Sequence, residues 1–535
     1  MNCDRIKEHL LNLCHVASVS GSYEETLMPQ EIKNELLKIN YFKQNPNTIF
    51  EYKLKNGSYL FALKKAKKVT KKTILLLSHF DVVDVEEYGM AQSLAFDPIA
   101  YTAFLKKGKI KLDEEVEKDL NNHYLFGRGV CDMKWGISVD IELLHYFDEH
   151  ENQQNANLLL VSVPDEERNS EGMCAAAHTL CAFQKEHDIK ITSCIVGEPD
   201  ISFEKLENGK RMFVGAAGKI MPLFYCVGKE THVGDPYFGL DPNLLSGKIV
   251  EKMELSPAFI DRANGYDTPA PTCLRLSDLK GEYSVQTPYD AWCYFNLMTI
   301  CKTPNEILKQ IRELANNAFE EVLKDRQLKY EAAKKLTNKD FPCTHFIPQV
   351  LSYQELYDNC KQYHGDSFVS HMKKYCDELE ANDLRDMTLK IIQECNRFAP
   401  NRDPKVILAF APPYYPHTGF ISESSELIQA CNELSKEAYL YDESFEINYC
   451  FNGLTDMSYL SLRETIDIDS LTLNFPLWGK HYQVPLSDIR ELDIPFVNFG
   501  PLGKDPHKYT ERIDEDYSFH IAPLLLLELV KKLSK

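Results

Sequence analysis

The sequence is short of positive charge. Its 535 residues hold 60 Lys and Arg against 80 Asp and Glu, a formal net charge of −20. Phosphate binding needs a basic face, so this balance argues against a nucleic-acid partner and against an anionic membrane surface. There are 16 cysteines but no Cys-x-x-Cys pair. That removes the zinc-ribbon and thioredoxin-type readings. The scatter of the cysteines is not a disulfide framework either, which belongs to small secreted domains; free thiols are expected. No apolar run approaches the roughly eighteen residues of a membrane helix, and Met1-Asn-Cys-Asp-Arg-Ile-Lys-Glu8 lacks the apolar core of a signal peptide. The expectation is a soluble cytoplasmic protein. Gly-x-Ser-x-Gly, His-Glu-x-x-His and a Walker pattern are all missing, which leaves a serine hydrolase, a zincin and a phosphate loop without support. Gly127-Arg-Gly-Val-Cys-Asp132 has no third glycine, so a dinucleotide fingerprint fails as well.

What is present is a chain long enough for large cores. At about 150 residues per domain the length allows roughly three to four domains, or equally two large ones. The 28 Tyr and 28 Phe argue against long disorder. Residues 3–39 read as helical with a break at Ser18–Ser22, where Ser22 is an N-cap candidate with Glu25 three residues on. Phe50–Leu54 and Ser58–Leu63 alternate like strands around the Asn56-Gly57 turn. Thr73–Ser78, Asn157–Val163 and Ser193–Val196 are continuous apolar runs, expected as strands buried on both faces. Helices are expected over 136–150 and 171–187. Buried strands alternating with helices imply an α/β sheet with a strong parallel component.

The pattern changes near residue 210. Met212–Val227 and Thr272–Ile300 read as longer strands around a helix near 242–255, and 304–397 reads as helical and highly charged. Lys405–Ala411 returns to a buried strand, a helix over 423–437 follows, and a helix over 521–534 closes the chain. The expected organisation is a catalytic α/β domain in two parts, 1–209 and 405–535, interrupted by an inserted α+β lid domain, 210–404, with an extra helical region.

The acidic and histidine residues follow the buried strands. His79-Phe-Asp81 comes after Ser78, Asp165-Glu166-Glu167 after Val163, and Gly197-Glu198-Pro199 after Val196. Ligands of open α/β sheets gather outside the carboxyl ends of the strands. Asp132 lies in a turn leading into a helix. Carboxylate and imidazole without thiolate suits zinc, manganese or cobalt. Each piece alone also has a plain structural reading, since a Glu-Glu pair commonly starts a solvated helix and a lone histidine is commonly structural.

Taken in order, His-x-Asp, Gly-Arg-Gly-x-x-Asp-Met-Lys, Asp-Glu-Glu, Gly-Glu-Pro and a late Gly-Pro…His resemble the M20 family of metallopeptidases and amidohydrolases. The resemblance spans 78–200 and 405–512. It is nearest to the branch named for an arginine utilisation protein, through Tyr283–Pro288, Asn452-Gly-Leu-Thr-Asp-Met-Ser-Tyr459 and Phe499–Glu511. It implies a zinc-peptidase-like mixed sheet flanked by helices, and two divalent metal ions, zinc by default with manganese or cobalt feasible.

By that resemblance His79 and Glu198 bind one ion, Glu167 and His507 the other, and Asp132 bridges ions about 3.5–4 Å apart. Asp81 fixes the His79 tautomer, and Glu166 is the general base on the attacking water. His232, in Thr231-His-Val-Gly-Asp-Pro236, is the lid histidine that donates to the oxyanion. Arg275 is a candidate for a substrate carboxylate, with a surface ion pair as its plain reading. His481 is a rival to His507, and Asp456 is expected in a supporting role. The implied activity is hydrolysis of a peptide or N-acyl bond of a small amino-acid derivative or dipeptide, in amino-acid or arginine catabolism. The alternatives are a silent binding or regulatory protein of the same fold and a phosphoesterase, the latter lacking the Lys/Arg clamp around phosphate. A homodimer is the family habit.

Overall fold

The computed structural model describes residues 1–200, 210–451, 453–462 and 467–535. The chain forms two compact units. The first comprises Met1–Ala217, Thr418–Arg463 and Pro485–Lys535; the second comprises Gly218–His417 and Glu464–Val484.

The first unit is built on an eight-stranded mixed sheet. Its order is Ile49–Lys53, Ser58–Lys64, Asn157–Val163, Lys72–His79, Lys190–Val196, Phe496–Asn498, Lys210–Phe213, Phe445–Asn448. The four neighbours from Asn157–Val163 to Phe496–Asn498 run parallel. Ile49–Lys53 and Ser58–Lys64 form the antiparallel hairpin, which pairs antiparallel with Asn157–Val163. Every residue of Asn157–Val163 is buried, as are Thr73–His79. Helices on both faces require this. Leu60, Ile74, Leu76, Leu158 and Leu160 point into a core shared with Ile6, Leu10 and Leu13 of the helix Cys3–Cys14 and with Ile137, Ile141 and Leu144 of the helix Lys134–Glu149. On the other face Phe61 packs edge-on to Phe183 of the helix Glu171–Glu186, with ring centroids 5.2 Å apart. A strand covered on both faces cannot alternate polar and apolar side chains.

The second unit holds a five-stranded sheet, ordered Thr272–Asp278, Asp290–Thr299, Gly218–Val227, Lys405–Tyr415, Val350–Ser352. The 34-residue helix Pro304–Thr337 begins with Pro304 in its first turn, behind a reciprocal cap between Thr303 and Glu306. Helices Tyr353–His364, Asp366–Glu378 and Leu384–Arg397 follow.

Three boundaries differ from the sequence reading; the first is that Glu464–Val484, inside the expected second catalytic part 405–535, belongs to the second unit. Lys405–Tyr415, assigned above to the second catalytic part, pairs antiparallel with Gly218–Val227 from Lys405↔Val227 to Tyr415↔Lys219, so it belongs to the inserted unit. The expected strand Met212–Val227 is two strands, Lys210–Phe213 and Gly218–Val227, one in each unit. An apolar run reports that both faces of a strand are covered; it does not report which sheet covers them. Among the described residues no helix is long and apolar enough to cross a membrane.

Candidate active site

Four adjacent parallel strands deliver their carboxyl ends to one edge of the first sheet. His79 is the last residue of Lys72–His79, Asp165–Glu167 follow Asn157–Val163, and Glu198 follows Lys190–Val196. The fourth strand, Phe496–Asn498, leads through Gly500 to a small three-stranded sheet of Gly503–Lys504, Arg512–Asp514 and Tyr124–Phe126. His507 sits on the loop between the first two of those strands. Asp132 lies just before the helix Lys134–Glu149.

Two trios of donors result, and they share one residue. His79 Nε2 lies 3.2 Å from Asp132 Oδ1 and 3.5 Å from Glu198 Oε1. His507 Nε2 lies 3.1 Å from Asp132 Oδ2 and 3.1 Å from Glu167 Oε1. Each trio is compact enough to hold a cation. Glu166 belongs to neither; its Oε2 is 4.0 Å from His79 Nε2.

The donors are fixed from behind. His79 Nδ1 is 3.0 Å from the main-chain oxygen of Asp81 and 3.5 Å from Asp81 Oδ1. The Asp81 carboxylate accepts the backbone N–H groups of Glu166 and Glu167, each at 3.1 Å. Asn498 holds the main chain of Glu198 on both sides: Glu198 N–H donates to Asn498 Oδ1 at 2.9 Å, and Asn498 Nδ2 donates to the Glu198 carbonyl at 3.1 Å. A Cβ on Gly500 would stand 1.9 Å from that carbonyl oxygen, so only glycine allows the approach. Asp165 and His507 hold left-handed backbone conformations, φ 67° and 68°, which non-glycine residues adopt at a cost in strain.

Burial and mutual repulsion dominate the electrostatics of the cluster. Burial, then repulsion from Glu167 and Glu198, pushes the Glu166 carboxyl well above its ordinary range. Burial raises Glu198 to about 7 and Asp456 to about 8. Burial works against charge on both imidazoles, yet the facing carboxylates overcome it, raising His79 well above its usual value and His507 to about 11. Buried carboxylates crowd two imidazoles in this cluster. Imidazole and carboxylate oxygen are the donors that zinc, manganese and cobalt accept, so the residues present fit a pair of divalent cations.

The chain's relatives agree with this architecture. Residues 75–475 match the model of peptidase family M20/M25/M40. The chain belongs to that family. It is 35% identical to the uncharacterized protein YqjN of Bacillus subtilis (strain 168), covering 99% of this chain and 97% of that protein. It is 31% identical to protein RocB of the same organism, covering 98% and 94%. In fold it resembles aminopeptidase PepT from Bacillus cereus ATCC 10987, with a TM-score of 0.55 at 12% identity over the full length of both chains. The chain is thus an M20-type metallohydrolase with a mixed sheet flanked by helices.

The remaining candidates divide. Asp456 is buried in the same unit, and its carboxylate lies close enough to His79 and Glu198 to feel their charge. Asn452, which opens its motif, lies outside the described residues. His232 and Arg275 lie in the second unit. His232 is exposed and its Nδ1 accepts the Gly234 N–H at 3.0 Å. Arg275 pairs with Asp386 Oδ1 at 3.0 Å and stacks over Trp292 at 5.0 Å, so its charge is engaged within that unit, as its plain reading expects. His481 is also in the second unit, with Nε2 2.6 Å from the Cys376 carbonyl. Sequence reasoning missed Ser20, Asn498, Arg128 and Glu511. The available signals were a polar residue inside the apolar run Pro495–Phe499 and charged residues within two of the motifs.

Proposed function

We propose that this chain is a two-cation amidohydrolase that cleaves the peptide or N-acyl bond of a small amino-acid derivative. The observation that carries the reading is the division of Asp132. One oxygen serves the His79–Glu198 trio, the other serves the Glu167–His507 trio, and Glu166 stands beside both without joining either. Bound cations supply Lewis acidity, which acidifies a water and polarises the scissile carbonyl. Zinc is the expected ion, with manganese and cobalt compatible with the same donors.

The chain's own residues supply the rest. Glu166, whose proton affinity burial has raised, takes a proton from the attacking water at its carboxylate and passes it to the nitrogen of the departing amine. Water and amide thereby give a carboxylate and an amine, with the C–N bond broken and a C–O bond formed. Asp81 keeps Glu166 in place through its backbone N–H and orients His79. The family resemblance makes His232 the donor to the developing oxyanion; its Nδ1 accepts the Gly234 N–H, which is compatible with a donor at Nε2.

The name of PepT supports peptides as one substrate class, and the branch named for arginine utilisation supports basic amino-acid derivatives as another. The test is a turnover panel of N-acyl amino acids and dipeptides, basic ones included, with phosphate esters alongside, on zinc-, manganese- and cobalt-loaded protein. Hydrolysis of amides alone is expected. Turnover of phosphate esters alone, or tight ligand binding with no turnover of any compound, would overturn the reading.

A further inference from the structure

Arg128 and Glu511 are buried and belong to neither donor trio, yet they join the segments that carry two of the donors. Arg128 Nη1 donates to Glu511 Oε2 at 2.7 Å. Its Nη2 donates at 3.1 Å to the main-chain oxygens of both His507 and Asp84. The other carboxylate oxygen of Glu511 accepts the N–H of Cys131, the residue before Asp132, at 3.3 Å. The Glu511 main-chain oxygen accepts the Gly127 N–H at 3.2 Å. A single ion pair thus fixes the backbone beside Asp132 and the backbone of His507.

His507 needs such an anchor more than the other donors do. Its side chain is 53% exposed, against 1% for His79, 6% for Glu167 and 12% for Asp132. It also holds a left-handed backbone on a loop. Packing does not orient it, so its main chain must. His79 and Glu198 are seated by other means, a strand end and Asn498. The planar guanidinium is suited to the task because its parallel donors serve a carboxylate and two carbonyls at once; an ammonium group cannot span the same acceptors.

We propose that Arg128 and Glu511 are positioning residues chiefly for one cation position, that of Asp132 Oδ2, Glu167 and His507, and that the His79–Glu198 position depends on them only through the shared Asp132. The inference rests on the two-cation reading above. Removing one partner strands a buried charge, which destabilises by itself, so the informative variant is the double replacement Arg128→Met with Glu511→Leu, paired with Arg128→Lys. Zinc per chain is measured by elemental analysis after dialysis, together with the unfolding midpoint and kcat. Wild type is expected to hold about two zinc ions. The double variant should remain folded, with a midpoint lowered by the backbone hydrogen bonds it gives up, yet retain about one zinc, and Arg128→Lys should also retain about one.

Two zinc ions in either folded variant would overturn the proposal, because a purely structural pair is relieved by the apolar swap. Failure of both variants to fold would overturn it too, by making the pair a requirement of the fold. Wild-type protein that holds no more than one zinc would instead sink the two-cation reading itself.

Discussion

The hydroxyl of Ser20 donates to Asp81 Oδ2 at 2.6 Å. Asp81 is fully buried, and the same carboxylate accepts the backbone N–H groups of Glu166 and Glu167 and faces His79. One carboxylate therefore ties a histidine of the first trio to the backbone of the acid in the second. Asp81→Asn keeps the shape but turns one oxygen into a donor that opposes these N–H groups. We expect zinc affinity to fall about 10–100-fold, the usual cost of disturbing a ligand's support, read by competition with a chelator. Ser20→Ala should act in the same direction and less. Unchanged affinity in Asp81→Asn would disprove the role.

Glu166→Gln tests the base apart from the donors. The substitution preserves size and removes the proton acceptor. A loss of kcat of at least about 10²-fold is expected, with zinc content and KM close to wild type. A variant that loses zinc instead would place Glu166 among the ligands.

Gly500→Ala should disrupt the site through the backbone. The added methyl would meet the Glu198 carbonyl at 1.9 Å, and backbone atoms cannot swing aside as a flexible side chain can. Either the turn or Glu198 must move. Lower zinc content, a lower unfolding midpoint, or both are expected. Wild-type behaviour in both measurements would contradict the packing described here.

His232→Ala tests the exposed donor of the second unit. A donor used only in the transition state lowers kcat and kcat/KM together and leaves KM little changed. A loss of about 10²–10³-fold in kcat is expected, the scale for one oxyanion donor. His232→Gln, which retains an N–H, should recover part of the loss. A rise in KM alone would assign His232 to ground-state binding.

Glu35 predicts a pH dependence remote from the site. Burial alone would raise its carboxyl, but hydrogen bonds from His9 and Lys38 outweigh burial and hold it at about 2, against 4.5. The unfolded chain therefore binds the proton more readily. The resulting stability is complete above pH 4.5 and is lost as the pH falls towards 2. Glu35→Gln should cost about 1–3 kcal/mol at pH 7, measured by urea unfolding. The gap from wild type should narrow between pH 4.5 and pH 3; a gap independent of pH would refute the assignment.

The central strands were legible because burial on both faces leaves an uninterrupted apolar run, and each such run stops at a charged or polar residue. His79, Glu166, Glu167 and Glu198 stand at those stops, so the sheet edge could be assembled from sequence. The division of labour between Glu166 and Glu167 came from the family resemblance. The contacts that Ser20, Arg128 and Asn498 make were not legible. Their partners lie 61, 383 and 300 residues away, and no local pattern encodes a contact across such distances. Lys405–Tyr415 was assigned to the wrong unit for a related reason: its apolar pattern fits either sheet, and only its pairing with Gly218–Val227 decides.

The strand Phe496–Asn498 occupies an interior place in the first sheet, between Lys190–Val196 and Lys210–Phe213. On a ribosome that place stays vacant until the chain has grown 300 residues past Glu198. Domains fold from the N-terminus during synthesis, but here neither Asn498, which holds Glu198, nor His507 exists until Gly218–His417 of the second unit has been made. Until then the nascent chain carries Glu198 without Asn498 to hold it, and Asp132 and Glu167 without His507. Hydrolytic competence arrives late and at once, and a chain truncated before residue 496 is expected to be inert.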